Sequence, residues 1–169
     1  ESNDPVNPRA AVTVSGFIQP QPQTPFRVGM SYFGRAEYDK AIIEFEKSIE
    51  LNPYHAESYF YLGRCYLLKG EIEYNNKNIS AYMSLFRKAY KISGQAIPLY
   101  EQIIEENPTD LDSYFKLGYI YEVRSNVPFI NDYDKALKYY LEALSLDAAS
   151  ESKNKGIYVY LNTRAGSIY

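Results

Sequence analysis

The feature that most constrains this chain is a spaced pattern of small, aromatic, small and proline residues. Three segments carry the pattern, with Ile103 and Ala148 as departures from it: Ala41, Phe45, Ser48 and Pro53; Ala96, Tyr100, Ile103 and Pro108; and Ala136, Tyr140, Ala143 and Ala148. The first and last members are twelve residues apart in every copy. A spacing that persists while the residues between it change is a packing pattern rather than a catalytic motif. It predicts a helix that occurs three times with the same buried face.

A second pattern precedes each copy and consists of an apolar residue, a glycine, two free positions and a tyrosine. It occurs at Val28-Gly29 with Tyr32, Leu62-Gly63 with Tyr66, Leu117-Gly118 with Tyr121, and Ala165-Gly166 with Tyr169. The apolar residue and the tyrosine lie on one face of a helix, and the glycine beside them lets a facing helix approach closely. Each unit is therefore predicted to be one helix, a turn and a second helix.

These residues resemble the tetratricopeptide repeat family, in which a period of about 34 residues places Leu-Gly, Tyr, Ala, Phe, Ala and Pro in this order. The segment 22–55 matches that order without a gap. The resemblance implies an all-α fold, namely a right-handed α-solenoid of helix pairs. We expect three full units and a partial fourth.

The distance from the glycine to the alanine of each unit shows where this chain departs from the repeat. It is twelve residues in the first unit, thirty-three in the second and eighteen in the third. The second unit therefore carries twenty-one extra residues and the third six. Within a repeat domain at 25–169, we predict units at about 22–55, at 56–110 with an insertion at 72–92, at 111–150, and a partial unit at 156–169.

The insertion is predicted to form a helix of its own. The first helix of unit two, which precedes the insertion, would end near Gly70. Asn78 would cap the inserted helix, and Ser93-Gly94 would end it. The second helix of the unit would then be Gln95 to Glu106. An apolar stripe at helical spacing is predicted to pack on the solenoid edge and widen one end of the groove; it consists of Ile79, Met83, Phe86 and Tyr90.

Residues 1–24 form a Pro/Gln-rich segment that is predicted to be an extended N-terminal tail. Within it, Val12 to Ile18 is apolar and β-branched. We expect this run to lie in a groove of its own chain or of a neighbour. The chain ends inside a repeat, which suggests that the native protein continues or self-associates there.

Composition argues against several classes of function. A net charge of −3 and a pI near 5.3 argue against a nucleic-acid surface. Cys65 is the only cysteine and His55 the only histidine, so neither a catalytic triad nor a metal site with several such ligands is expected. His55 is interpreted as a solvated turn residue and Cys65 as a structural thiol. We therefore predict a non-enzymatic protein with no cofactor and no membrane span. The sequence does not distinguish a cytoplasmic from a periplasmic or tethered location.

Tyrosine is unusually frequent, with nineteen Tyr and no Trp. Ten of them fall on repeat positions: 32, 38, 59, 66, 100, 114, 121, 133, 140 and 169. A tyrosine at this spacing is predicted to fill the layer between helices while its hydroxyl reaches the edge.

The resemblance also implies where a partner would bind, because first helices of tetratricopeptide units line a concave groove that receives a peptide or helix. The corresponding stripes are Phe26, Met30 and Phe33 in unit one, Phe60, Arg64 and Leu67 in unit two, and Phe115, Tyr119 and Glu122 in unit three. Each stripe begins with a phenylalanine, and three phenylalanines at equivalent places predict an apolar ladder for a protein partner. The alternative is that they only pack between repeats.

The preferred function is thus a protein–protein interaction scaffold. The runner-up is an assembly subunit whose groove is filled by its own or a neighbour's N-terminal tail, and a chaperone adaptor is a distant third. Adaptors of that family hold an acidic C-terminal peptide through Lys and Asn, whereas these stripes leave only Arg64 and Lys116 as cations. We therefore expect at most one acidic contact, at Arg64.

Overall fold

The protein is all-helical wherever this computed structural model describes it, which is at residues 23–125 and 132–149. The helices are α1 (Pro25–Gly34), α2 (Tyr38–Leu51), α3 (Ala56–Asn75), α4 (Ile79–Glu106), α5 (Leu111–Ser125) and α6 (Tyr133–Ala149). They pack as three consecutive pairs, and each pair contacts the next. This arrangement confirms the all-α solenoid. The predicted tail segment Val12 to Ile18 and the partial unit at 156–169 lie outside the described residues.

Helix starts follow the local sequence. The side chain of Thr24 accepts a hydrogen bond from the amide of Arg27 at the start of α1, directly before Pro25. The side chain of Asn78 accepts one from the amide of Ala81, so the predicted cap of Asn78 is confirmed. Both contacts satisfy amides that have no partner inside the helix.

The repeated pattern packs the two helices of a unit against each other. A Cβ atom at Gly29 would come within 2.8 Å of the Phe45 ring, and one at Gly118 within 2.5 Å of the Tyr140 ring. Phe45 and Tyr140 are completely buried. In units one and three the glycine is therefore the place where an aromatic side chain of the second helix crosses the first helix.

Unit two differs from the prediction, because the insertion does not form a separate helix. Its residues lengthen both members of the pair: α3 continues through Gly70 to Asn75, and α4 runs without interruption from Ile79 to Glu106. Neither of the two glycines that are predicted to end helices does so, and both face a neighbouring helix. A Cβ at Gly70 would be in ordinary contact with the Tyr82 ring of α4 at 3.5 Å, and a Cβ at Gly94 would lie 2.9 Å from the guanidinium of Arg124.

The pairing register of unit two is also different from the prediction. Gly63 faces Ala89 and Ser93 rather than Ala96 and Tyr100. Tyr100 is seven residues beyond Ser93, which is about two helical turns further along α4. There it is buried in the same core cluster as Ala56 and Phe60, near the start of α3.

The predicted apolar stripe of the insertion is only partly covered. Ile79 and Met83 are exposed, while Phe86 and Tyr90 are half-buried. The expectation that this stripe packs throughout on the solenoid is therefore wrong at its first two positions. Both residues lie in the first turns of α4, at the end of the lengthened hairpin.

Tyrosine hydroxyls reach acceptors at the edge of the helix layer. Tyr121 and Tyr139 both donate to Glu101, at 3.5 and 3.2 Å, and their rings stack with centroids 5.6 Å apart. Tyr140 donates to Glu122 at 2.6 Å. The predicted arrangement, ring inside and hydroxyl at the edge, is confirmed at Tyr121 and Tyr140. It is wrong at Tyr100, whose hydroxyl is buried in the core.

Candidate functional site

The nine predicted groove residues lie on the first helices α1, α3 and α5, three on each. We call the surface that these helices form the first-helix face. Eight of the nine side chains are half-buried, and Phe60 is the exception because it is only 4% exposed. Phe60 therefore belongs to the interior layer between repeats, and the three phenylalanines do not form one exposed ladder.

The first phenylalanine of each stripe packs on the aromatic residue of the repeat pattern in the second helix of its own unit. The ring centroids of Phe26 and Phe45 are 5.8 Å apart, those of Phe60 and Tyr100 are 6.3 Å apart, and those of Phe115 and Tyr140 are 6.2 Å apart. These rings consequently have a packing role in all three units. Phe26 and Phe115 still keep part of their surface exposed.

Arg64 lies at the centre of the first-helix face and is surrounded by aromatic rings. Its guanidinium carbon lies 5.2 to 5.9 Å from the centroids of four rings, which we call the Arg64 cage: Phe33, Phe60, Tyr61 and Tyr119. These residues come from α1, α3 and α5, so three consecutive repeats meet here. A cation at this distance from ring faces is held by cation–π attraction.

The cage provides no counter-charge to Arg64. Its Nε atom is buried and has no hydrogen-bond partner, and the described residues include no ion pair to its guanidinium. Arginine keeps its charge at any ordinary pH. The site therefore holds a positively charged guanidinium with at least one N–H group, at Nε, that makes no hydrogen bond within the described chain.

Lys116, the other expected cation, is already neutralised by its surroundings. Its ammonium lies 2.8 Å from the carboxylate of Glu57 and also bonds to Asp112. Burial lowers the pKa of Lys116, but the hydrogen bonds to these two carboxylates outweigh it and leave the pKa above the usual value. Lys116 is thus a structural tie between α3 and α5, which the Asp112 to Lys116 spacing of four residues partly indicates.

Tyr61 is a member of the site that sequence reasoning missed. Its ring lies between 5.3 and 6.0 Å from four others, namely Phe26, Phe33, Phe45 and Phe60. It packs against both core clusters of the described chain. No spacing rule marked it, because it lies off the three stripes and the repeat pattern has no aromatic at this position.

His55 is not the solvated turn residue that was predicted. It is half-buried at the start of α3, its Nδ1 lies 2.7 Å from the hydroxyl oxygen of Ser58, and Phe26 packs edge-on against its ring at 4.7 Å. Ser58 in turn donates to the buried hydroxyl of Ser48. These contacts join α2 and α3, so the histidine has a structural environment.

Two further kinds of chemistry find little support in the described part of the chain. Burial raises the pKa of the Cys65 thiol to about 12, and no group of His, Cys, Asp and Glu residues is arranged to hold a metal ion. None of the six described helices combines the length and apolar character that crossing a membrane requires.

Solved structures with a similar fold include PcrH in complex with the chaperone binding region of PopD. That chain has 14% sequence identity and a TM-score of 0.52 over 86% of this chain and 89% of its own length. MamA has 20% identity and a TM-score of 0.28 over 83% of this chain and 92% of its own. A comparison with curated protein sequences finds no significant match.

Two family models described as tetratricopeptide repeat match the sequence directly. One matches residues 44–78 and 99–138, and the other matches 26–55 and 129–150. Together they cover more than half of the chain, on either side of the segment where the second helix pair is lengthened. The chain belongs to the tetratricopeptide repeat family.

Proposed function

We propose that this chain binds a peptide or helix of a partner protein along the first-helix face. As a tetratricopeptide repeat protein it is a protein-interaction scaffold. The observation that carries the finer proposal is the Arg64 cage, in which the half-buried Phe33 of α1, Tyr61 of α3 and Tyr119 of α5 converge around one cation that pairs with no carboxylate of the described residues. A surface that combines partly exposed aromatic rings with one cation suits a partner segment that is largely apolar.

A solved structure with a similar fold supports the binding of a partner segment, without indicating the surface. PcrH, which shares the fold, was solved with the chaperone binding region of PopD. A chain with this architecture can therefore hold a region of another protein. Family repeats of this kind are interaction modules, and we propose no catalytic activity for this chain.

Two double variants test the proposal. Each replaces two apolar residues by glutamate, one on the first helices and the other on the second helices. Met30→Glu with Leu67→Glu adds charge to half-buried positions of the first-helix face. Ile43→Glu with Leu141→Glu adds the same charge to exposed positions of α2 and α6, and is the matched control. Partners are captured from lysate with each protein and identified by mass spectrometry, and the bound segment is then titrated as a synthetic peptide.

We expect the first variant to lose the partner and the control to keep it. Because Met30 packs against a core cluster, the first variant should melt at a lower temperature than the control, and circular dichroism at the binding temperature verifies that both remain folded. A partner that is lost only with the control would place binding on the second helices. Equal binding by all three proteins would contradict a site on either layer.

A further inference from the structure

We infer that the bound partner segment presents one internal Asp or Glu side chain to Arg64, with apolar or aromatic residues on both sides of it. The inference rests on the proposed function, because it names the chemistry of the segment that the first-helix face receives.

The first argument comes from the cations that are not exposed. The described chain has four of these: Arg64, Lys69, Lys116 and Arg124. Lys69 pairs with Asp39, Lys116 with Glu57 and Asp112, and Arg124 lies 3.6 Å from the carboxylate of Asp132. Arg64 alone has no carboxylate partner, although the sequence holds 21 acidic and 18 basic residues. A partly buried charge is costly unless it is paired, so its counter-charge is expected from outside.

The second argument concerns the kind of anion. A guanidinium binds one carboxylate through two parallel hydrogen bonds. A phosphate group carries nearly two charges at neutral pH and would favour a second cation, but Lys116 is already paired. One carboxylate is therefore the anion that the site can balance.

The third argument places that carboxylate inside the segment rather than at its end. Arg64 lies on α3, the middle helix of the face, with Met30 and Phe33 on the α1 side and Tyr119 on the α5 side. All three of these side chains are half-buried and have surface left to cover. A segment that ended at Arg64 would leave one of the two sides uncovered. A segment that passes over it buries apolar surface on both.

The test uses three fluorescent pools of nine-residue peptides, in which the variable positions are drawn from Leu, Phe, Tyr, Met and Ser. Two pools are acetylated and amidated, with Asp at the centre of one and Asn at the centre of the other. The third pool is acetylated, has Ser at the centre and ends in Asp with a free carboxyl group. We expect the central Asp pool to bind the parent chain about tenfold more tightly than the Asn pool, because a hydrogen-bonded ion pair replaces a neutral contact.

Variants at Arg64 separate charge from packing. In Arg64→Gln the two amidated pools should bind within about twofold of each other, and Arg64→Lys should keep part of the preference. Equal binding of the Asp and Asn pools to the parent chain, with binding lost in Met30→Glu/Leu67→Glu, would overturn this inference and leave the proposed function intact. Preference for the third pool would overturn the internal position. Absence of binding by every pool would contradict both proposals.

Discussion

Gly63 of α3 lies directly against Ser93 of α4, so close that a Cβ at position 63 would be 2.5 Å from the serine hydroxyl oxygen. In the first and third units the equivalent glycine faces the aromatic ring of Phe45 or Tyr140 instead. The lengthened hairpin has therefore moved α4 along α3, and a small residue occupies the crossing point where the other units place a large one.

This contact predicts a coupled pair of substitutions. Gly63→Ala should lower the free energy of unfolding by up to about 2 kcal/mol, since the Ser93 hydroxyl has to move away from the new methyl group and this cost is partly offset by the gain in helix propensity. Adding Ser93→Ala should recover most of the loss, because the serine Cβ is 3.7 Å away and tolerates the methyl group. Urea unfolding of the single and double variants measures the coupling.

A control for that pair is Gly34→Ala, since nothing lies within 4 Å of a Cβ built there. Gly34 is the last residue of α1 and its φ is not positive. The alanine should raise the free energy of unfolding by up to about 1 kcal/mol. Additive effects of Gly63→Ala and Ser93→Ala would disprove the direct contact.

Tyr100 and Tyr140 occupy equivalent pattern positions but should respond differently to loss of the hydroxyl. Tyr140→Phe removes a 2.6 Å bond to the Glu122 carboxylate and should cost about 1.5 to 3 kcal/mol. The Tyr100 hydroxyl is buried and has no hydrogen-bond partner in the described chain. Tyr100→Phe should therefore leave stability unchanged or raise it by about 1 kcal/mol. Calorimetry that shows equal losses for both variants would refute this difference.

The Lys116 ion pairs should weaken at alkaline pH. The pKa of Lys116 is raised in the folded state, so its contribution to stability is complete below the unfolded pKa of about 10.4. That contribution is lost as the pH rises through the folded value. As the pH rises above about 10.4, the free energy of unfolding should thus fall more steeply for the parent chain than for Lys116→Met. Parallel curves for the two proteins would show that the pairing does not contribute.

The Cys65 thiol should be unreactive in the folded protein. Burial raises its pKa to about 12, so at pH 8 almost no thiolate is present and the sulfur is shielded. Ellman's reagent should modify the folded chain slowly and the urea-unfolded chain at once. Ser80→Cys, at an exposed position of α4, is the control and should add one rapidly reacting thiol. Rapid reaction of the folded parent chain would show that Cys65 is accessible.

The exposed end of the long hairpin should tolerate polar substitution. Ile79→Gln with Met83→Gln should change the free energy of unfolding by no more than about 0.5 kcal/mol each, because both side chains already face solvent. Ala89→Leu on the same helix should cost about 1 to 3 kcal/mol, since Ala89 is completely buried opposite Gly63. A large loss in the double glutamine variant would mean that this surface is covered in solution.

Much of the helical layout could be predicted from spacing. The cap at Asn78 and the glycine–aromatic crossings at Gly29 and Gly118 follow from local patterns that one helix pair satisfies by itself. The continuity of α4 was also visible in principle. Buried or half-buried residues recur along it at spacings of four and three without a break, namely Tyr82, Phe86, Ala89, Ser93, Ala96 and Tyr100. The Ser93-Gly94 pair nevertheless predicts a helix end, because such a pair is equally typical of a helix end and of a close approach between two helices.

The repeated helix pairs follow from the sequence alone, because periodic apolar residues select which face of each helix is buried whatever its neighbour is. The candidate site depends on tertiary contacts instead. Whether a cation on the first-helix face stays available depends on residues far away in sequence. Lys116 is neutralised by Glu57, 59 positions before it, whereas Arg64 is enclosed by rings from three helices and pairs with no carboxylate of the described residues. Charge pairing acts through distance in space, which a linear pattern does not encode.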